Sequence, residues 1–153
     1  MQALELKVPP PLVAALIAAS MWGISKLPPA IALPELVRTV TALPIALAGA
    51  ALTGAGLLSF RHARTTVNPM KPQSAASLVR SGVYSISRNP MYLGLLVVLF
   101  AWAAYLSTVW ALLGPLVYVL YINRFQIAPE ERILSAKFGA SYAEYKARVR
   151  QWI

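Results

Sequence analysis

Hydrophobic positions along the chain fall into three blocks separated by short polar or proline-rich stretches. The first, residues 12–27, follows Pro9, Pro10 and Pro11 and is short for a membrane span of roughly 20 residues. A cleaved signal peptide is the competing reading, because Ala30-Ile31-Ala32 resembles a small-residue cleavage site. Lys7 is balanced by Glu5, however, and the block reads as a first transmembrane helix. The second block, 40–60, carries Ala46, Ala50 and Gly54 at a spacing of four, a small-residue face that lets helices approach closely in lipid. Pro44 near its start predicts a kink. The third, 90–121, is 32 residues long. It is too long for one span, and a tight turn at 105–108 resolves it into a hairpin of two short helices. Four spans result.

The polar segments have their own pattern. Residues 61–89 contain the breakers Asn68-Pro69 and Lys71-Pro72, and 74–80 reads as a short helix ended by Gly82. In the tail, Pro129 suits a first helical position, with Glu130 and Glu131 in the first turn. Gly139 should end that helix, and Ser141 with Glu144 has capping-box spacing for the next. Leu134, Phe138, Tyr142, Tyr145 and Val149 can share one face across the break, against the bilayer surface or the bundle. The expected architecture is all-α: an integral membrane helical bundle of four transmembrane helices and an amphipathic tail. It forms one domain over 1–153, with amino-terminal helices over 1–60 and a functional core over 61–153.

Composition strengthens the membrane reading. The chain is 58% hydrophobic and 12% charged, against about 25% charged in soluble domains. Its mean hydropathy is +0.61. The net charge of +9 comes from 14 Lys and Arg against 5 acidic residues. The cations form two clusters, Arg61, Arg64, Lys71, Arg80 and Arg88, then Arg124, Arg132, Lys137, Lys146, Arg148 and Arg150. No charge falls between Met91 and Asn123, so this is not a nucleic-acid groove. The clusters predict contact with anionic phospholipid headgroups and place both chain ends in the cytoplasm. The chain has no Cys, and no Asp appears in it. That excludes disulfides and thiolate catalysis, and His62, the one histidine, leaves little for zinc.

Phosphate-loop, GxSxG, HExxH and dinucleotide-binding motifs are absent. The residues left are Gly82-Val83-Tyr84, Arg88-Asn89-Pro90-Met91-Tyr92 and Glu130-Glu131. Asn89 and Pro90 have a plain reading as N-cap and first helical residue, and Glu130-Glu131 as a helix start. Together they suggest more. A helix N-terminus bearing Arg88 and Asn89 can hold a carboxylate. The glutamates across the hairpin mouth can hold an ammonium group or ribose hydroxyls, so the mouth suits a zwitterionic, amino-acid-like ligand.

These motifs resemble the isoprenylcysteine carboxyl methyltransferases of membranes and their bacterial relatives, akin to phospholipid N-methyltransferases. The family pattern is Arg-His-Pro-x-Tyr, an apolar stretch, then Glu-Glu. Here it reads Arg88-Asn89-Pro90-Met91-Tyr92 and Glu130-Glu131. Leu78-Val79 with Gly82 and Tyr84, and Phe138-Gly139 with Tyr142 and Tyr145, also match. The resemblance spans 65–152. It implies S-adenosyl-L-methionine as methyl donor, held by Ser77, Leu78, Val79, Tyr84, Asn89, Pro90, Met91, Tyr92 and Glu130. Arg88 and Glu131 would be catalytic, and Arg124 and Gln126 would face a lipophilic substrate entering from the bilayer, an isoprenylcysteine-like carboxylate or a lipid amine. The implied location is a bacterial inner membrane with the site on the cytoplasmic side. Two positions depart from the pattern. Asn89 replaces the usual His and cannot titrate near neutrality, and Gln126 stands where eukaryotic members tend to have Arg. A nicotinamide-dependent isoprenoid or sterol-type reductase and a non-enzymatic scaffold or transporter are the competing functions.

Overall fold

The computed structural model describes residues 5–63, 70, 72–74 and 76–153. Five α-helices carry the chain: α1 (Pro10–Ile24), α2 (Glu35–His62), α3 (Pro90–Leu106), α4 (Leu113–Ile122) and α5 (Ala128–Arg148). Among the described residues there is no strand, only isolated bridges joining Ala30 to Thr108 and Ser87 to Arg150. The all-α expectation holds. Arg64, Lys71 and the Asn68-Pro69 breaker lie outside the described residues.

Helix α1 starts and ends earlier than its apolar block suggests, because Pro10 and Pro11 enter the first turn. Proline's fixed φ suits that turn and its missing N–H is not needed there. Val13, Ala14 and Met21 seat α1 in a core with Leu99 of α3 and Tyr118 and Ile122 of α4.

Helix α2 is longer than its apolar block, running from Glu35 through Pro44 to His62 without interruption. Its contact with α3 is the most extensive between any two helices. The closest approach is not centred on the predicted face, of which only half-buried Ala46 lies beside Val98 and Ala101 of α3. Ala42, Gly49 and Gly56 are buried, whereas Ala50 is exposed and nothing lies within 4 Å of a Cβ built on Gly54. The reason is helical periodicity. A step of seven residues returns to within about 20° of its starting face, while two steps of four drift about 80° away. A Cβ on Gly49 would sit 2.6 Å from the Gly94 carbonyl oxygen, and one on Gly94 would be equally close to that of Gly49. The two backbones touch where only glycine fits.

The expected helix over 74–80 is replaced by 3-10 turns at Pro72–Ser74 and Gly82–Ser85. Gly82, with φ of 62°, opens the second turn rather than closing a helix. The hairpin turn falls where expected: Ser107 adopts a left-handed φ of 52° and Thr108 is extended. Two helices are long and apolar enough to cross a membrane, α2 and the helical run Val109–Arg148, whose charged residues all follow Asn123 and which Gly139 breaks, while α1 and α3 are shorter apolar helices. Only 11% of the apolar stretch of α2 is buried within the molecule, and Leu36, Leu43, Leu47, Leu116 and Leu120 face outward. A soluble core helix would hide these residues.

Pro129 does not begin a new helix. Helix α4 runs into a π-helical turn, Asn123–Ile127, and directly on into α5. An interior proline removes an N–H and crowds the carbonyl four residues back. The wider turn absorbs that proline, and the carbonyl of Phe125 accepts instead from the Leu6 N–H at 3.0 Å. Gly139 breaks α5 as expected, with φ of 50° and ψ of −125°. The tail face also forms, packing Tyr142, Tyr145 and Val149 with Leu134 and Phe138 onto Leu78.

Candidate functional site

The site lies where the N-terminus of α3 meets the start of α5. Proline at the first position of α3 fixes the helix start and sets Arg88 and Asn89 just before it, with Tyr92 inside the first turn. The π-turn brings Glu130 and Glu131 opposite. Asn89 occupies the N-cap position, but its side chain makes no cap. Its Nδ2 donates to the Gln151 carbonyl at 3.0 Å, and its N–H donates to Ser87 Oγ at 3.1 Å.

Arg88 and Glu131 are bound to each other. Arg88 Nη2 and Nε donate to Glu131 Oε1 at 2.7 and 3.2 Å. Arg88 Nη1 donates to the carbonyls of Val149 and Lys146 at 2.6 and 3.2 Å. The other oxygen of Glu131 accepts from Lys146 Nζ at 2.7 Å. The two side chains of the Arg88 pair are 8% and 16% exposed. Burial opposes ionisation of Glu131, but the bonds from Lys146 and Arg88 outweigh it and hold its pKa below the usual value. The donors expected to hold a ligand's carboxylate are thus largely spent on the chain itself.

Glu130 differs from its neighbour. Tyr92 Oη donates to Glu130 Oε2 at 2.9 Å, and buried Gln126 also hydrogen-bonds this pair. Burial pushes the Glu130 pKa up to about 7 against these two bonds, and the Glu131 charge adds to the rise. Burial likewise raises the Tyr84 phenol, with Glu130 adding to it, and the Tyr84 carbonyl accepts from Tyr145 Oη at 2.7 Å.

A cavity of about 310 Å³ opens between these groups, within the range of small-molecule sites. Ser77, Leu78, Val79, Tyr84, Arg88, Asn89, Met91, Tyr92, Glu130 and Glu131 all line it. Pro90 is buried behind the lining. Gln126 is packed beside Tyr92 and Glu130 but does not line it, and Arg124 turns away to pair with Glu5 at 2.9 Å. The sequence reading missed Thr53 and Phe60 of α2, Leu95 of α3 and Pro9 to Pro11, which also line it. Tyr142 and Tyr145, singled out for packing and as matches to the family pattern but given no site role, line it too. The proline triplet was visible, but nothing in it signals a cavity wall. Among the described residues no cluster of His, Cys or acidic side chains could hold a metal.

The lining fits S-adenosylmethionine by its chemistry. A half-buried carboxylate suits a ligand carrying ammonium and sulfonium charges, tyrosine and leucine walls suit a purine ring, and 78–80 offers peptide groups outside regular secondary structure. Comparisons with known proteins converge on related chemistry. Residues 37–141 match the model of the phospholipid methyltransferase family. The chain is 39% identical over 94 residues to protein-S-isoprenylcysteine O-methyltransferase of Saccharomyces cerevisiae, an alignment covering 58% of this chain and 37% of the yeast enzyme. It is 49% identical over 63 residues to an uncharacterized protein of Haemophilus influenzae, covering 41% of this chain and all of that one. No solved structure matches.

Proposed function

The chain belongs to the phospholipid methyltransferase family, and on that premise we propose that it transfers a methyl group from S-adenosylmethionine to a lipophilic acceptor drawn from the bilayer. It is a membrane methyltransferase by kinship, which displaces the reductase and scaffold readings. The observation that carries the proposal is the half-buried Glu130 carboxylate facing a cavity walled by tyrosines.

The donor supplies a methyl group already activated on a sulfonium, so the protein's work is positioning and exclusion of water. Glu130, oriented by Tyr92 and Gln126, meets the ligand's positive charge. Arg88 and Glu131 are positioning residues that lock the α3 start to α5. Thr53, Met91 and Leu95 form the apolar wall toward the α2–α3 seam, where an acyl or prenyl chain would lie. Of the two acceptor classes, the lining favours a lipid amine. Its one cation among the described residues, Arg88, is committed to Glu131 and offers little to an acceptor carboxylate. An amine nitrogen forms the new C–N bond as the S–C bond breaks, and Glu130 takes the released proton.

Isothermal titration with S-adenosylhomocysteine tests this. Wild type should bind, and Glu130→Ala should lose most of the affinity. No binding by wild type would overturn the reading. The same proposal includes four spans, with both chain ends and the site in the cytoplasm and the basic clusters on anionic headgroups, as in a bacterial inner membrane. Because the chain has no cysteine, single cysteines at Ser25 and Ala147 decide the topology. A membrane-impermeant maleimide applied to intact cells should label the first and not the second.

A further inference from the structure

The segment leading into α1 is tied to the site at three points. Glu5 Oε1 and Oε2 pair with Arg124 and Arg132, each at 2.9 Å. The Leu6 N–H fills the Phe125 carbonyl that Pro129 leaves without a helical donor. Pro9, Pro10 and Pro11 then form part of the cavity wall, and Val8 packs against the bundle core. A segment that only led into α1 would need neither the ion pairs nor a left-handed φ of 57° at Leu6. That backbone conformation is uncommon for a non-glycine residue.

The elements it joins explain the arrangement. The π-turn sets the position of Glu130, and the proline triplet covers the cavity that Glu130 faces. Arg124 and Arg132 stand on either side of the π-turn–α5 junction. We propose that 5–11 is a strap closing one wall of the cavity, with Glu5 as its latch and a positioning residue for ligand retention. This rests on the cavity being the S-adenosylmethionine site. The two pairs involve exposed arginines, 46% and 60% accessible, so each contributes modestly and is screened by salt. Val8 and Pro10 stay anchored, so losing the latch loosens the strap's outer end and the π-turn it braces, and with it the position of Glu130, rather than detaching the proline wall.

The test is the dissociation rate of bound S-adenosylhomocysteine from the full chain in detergent. Glu5→Gln should speed release about three- to tenfold, the scale of two exposed pairs. Rising salt should speed release from wild type but leave Glu5→Gln nearly unchanged. Combining Glu5→Arg with Arg124→Glu and Arg132→Glu should restore slow release. Unchanged release in Glu5→Gln would overturn the strap. If wild type does not bind S-adenosylhomocysteine, the reading of the cavity fails instead. The latch is then decided by hydrogen exchange at the Leu6 amide. Faster exchange in Glu5→Gln upholds it, and exchange equal to wild type overturns it.

Discussion

The α2–α3 seam and the polar cap around Glu130 hold the molecule together by opposite means. At the seam, Gly49 and Gly94 bring two backbones into contact, and the packing at that point is limited by volume. At the cap, Arg88, Glu131 and Lys146 form an ion-paired cluster beside Glu130, whose own partners are the neutral Tyr92 and Gln126. A volume-limited contact is insensitive to pH and salt and intolerant of added atoms. A charge-limited one tolerates changes of size better than changes of protonation. Stability should therefore reside in the seam and ligand affinity in the cap.

Glu130→Ala is the strongest attempt to break that division. Removing a buried charge partner costs about 2–5 kcal/mol of binding, so S-adenosylhomocysteine affinity should fall about a hundredfold or more by calorimetry. At or above neutral pH, where the Glu130 contribution to stability is being lost, thermal stability should change little, and a large loss there would show that the cap holds the fold as well. Gly94→Val is the converse. Overpacking typically costs about 1–3 kcal/mol, seen as a lower unfolding temperature in detergent. Gly54→Ala on the same helix should stabilise slightly, by no more than about 1 kcal/mol, because its added methyl meets nothing and alanine suits a helix interior better than glycine.

The pH response separates the two regions more finely. The folded pKa of Glu130, about 7, lies above its ordinary value of 4.5. Its stabilising contribution is therefore complete below about pH 4.5 and is lost as pH rises through about 7. Ligand affinity runs the other way, because a cation prefers the ionised carboxylate. It should rise up to about tenfold between pH 6 and 8. In Glu130→Gln both dependences should flatten. A pH-dependent affinity that survives in Glu130→Gln would move the titrating group elsewhere.

Residues that act through local backbone rules were legible in the sequence. Gly139 broke α5, Ser107 and Thr108 turned the hairpin, and the tail aromatics shared one face. Most motif residues from Tyr84 to Tyr92 and both glutamates reached one cavity because they stand at helix starts or turns that prolines and glycines mark, whereas Ser77, Leu78 and Val79 reach it from an irregular stretch. The seam was misjudged because a spacing of four names small residues without saying which of them stay on one face. The backbone partners of Arg88 were hidden for a different reason. The carbonyls of Val149 and Lys146 are backbone groups that any residue supplies, so no side chain announces them. The bond from Leu6 to Phe125 was invisible in the same way, and with it the role of Glu5.

One torsion has a long reach. At Gly139, φ of 50° with ψ of −125° is a combination open to glycine and closed to nearly every other residue. The added methyl of an alanine would meet no neighbour there, so shape is not what reserves the position. Everything beyond it, including Tyr142 and Tyr145 on the cavity wall and the two carbonyls that steady Arg88, is carried like the arm of a crank. The far side of the cavity is aimed by a single joint.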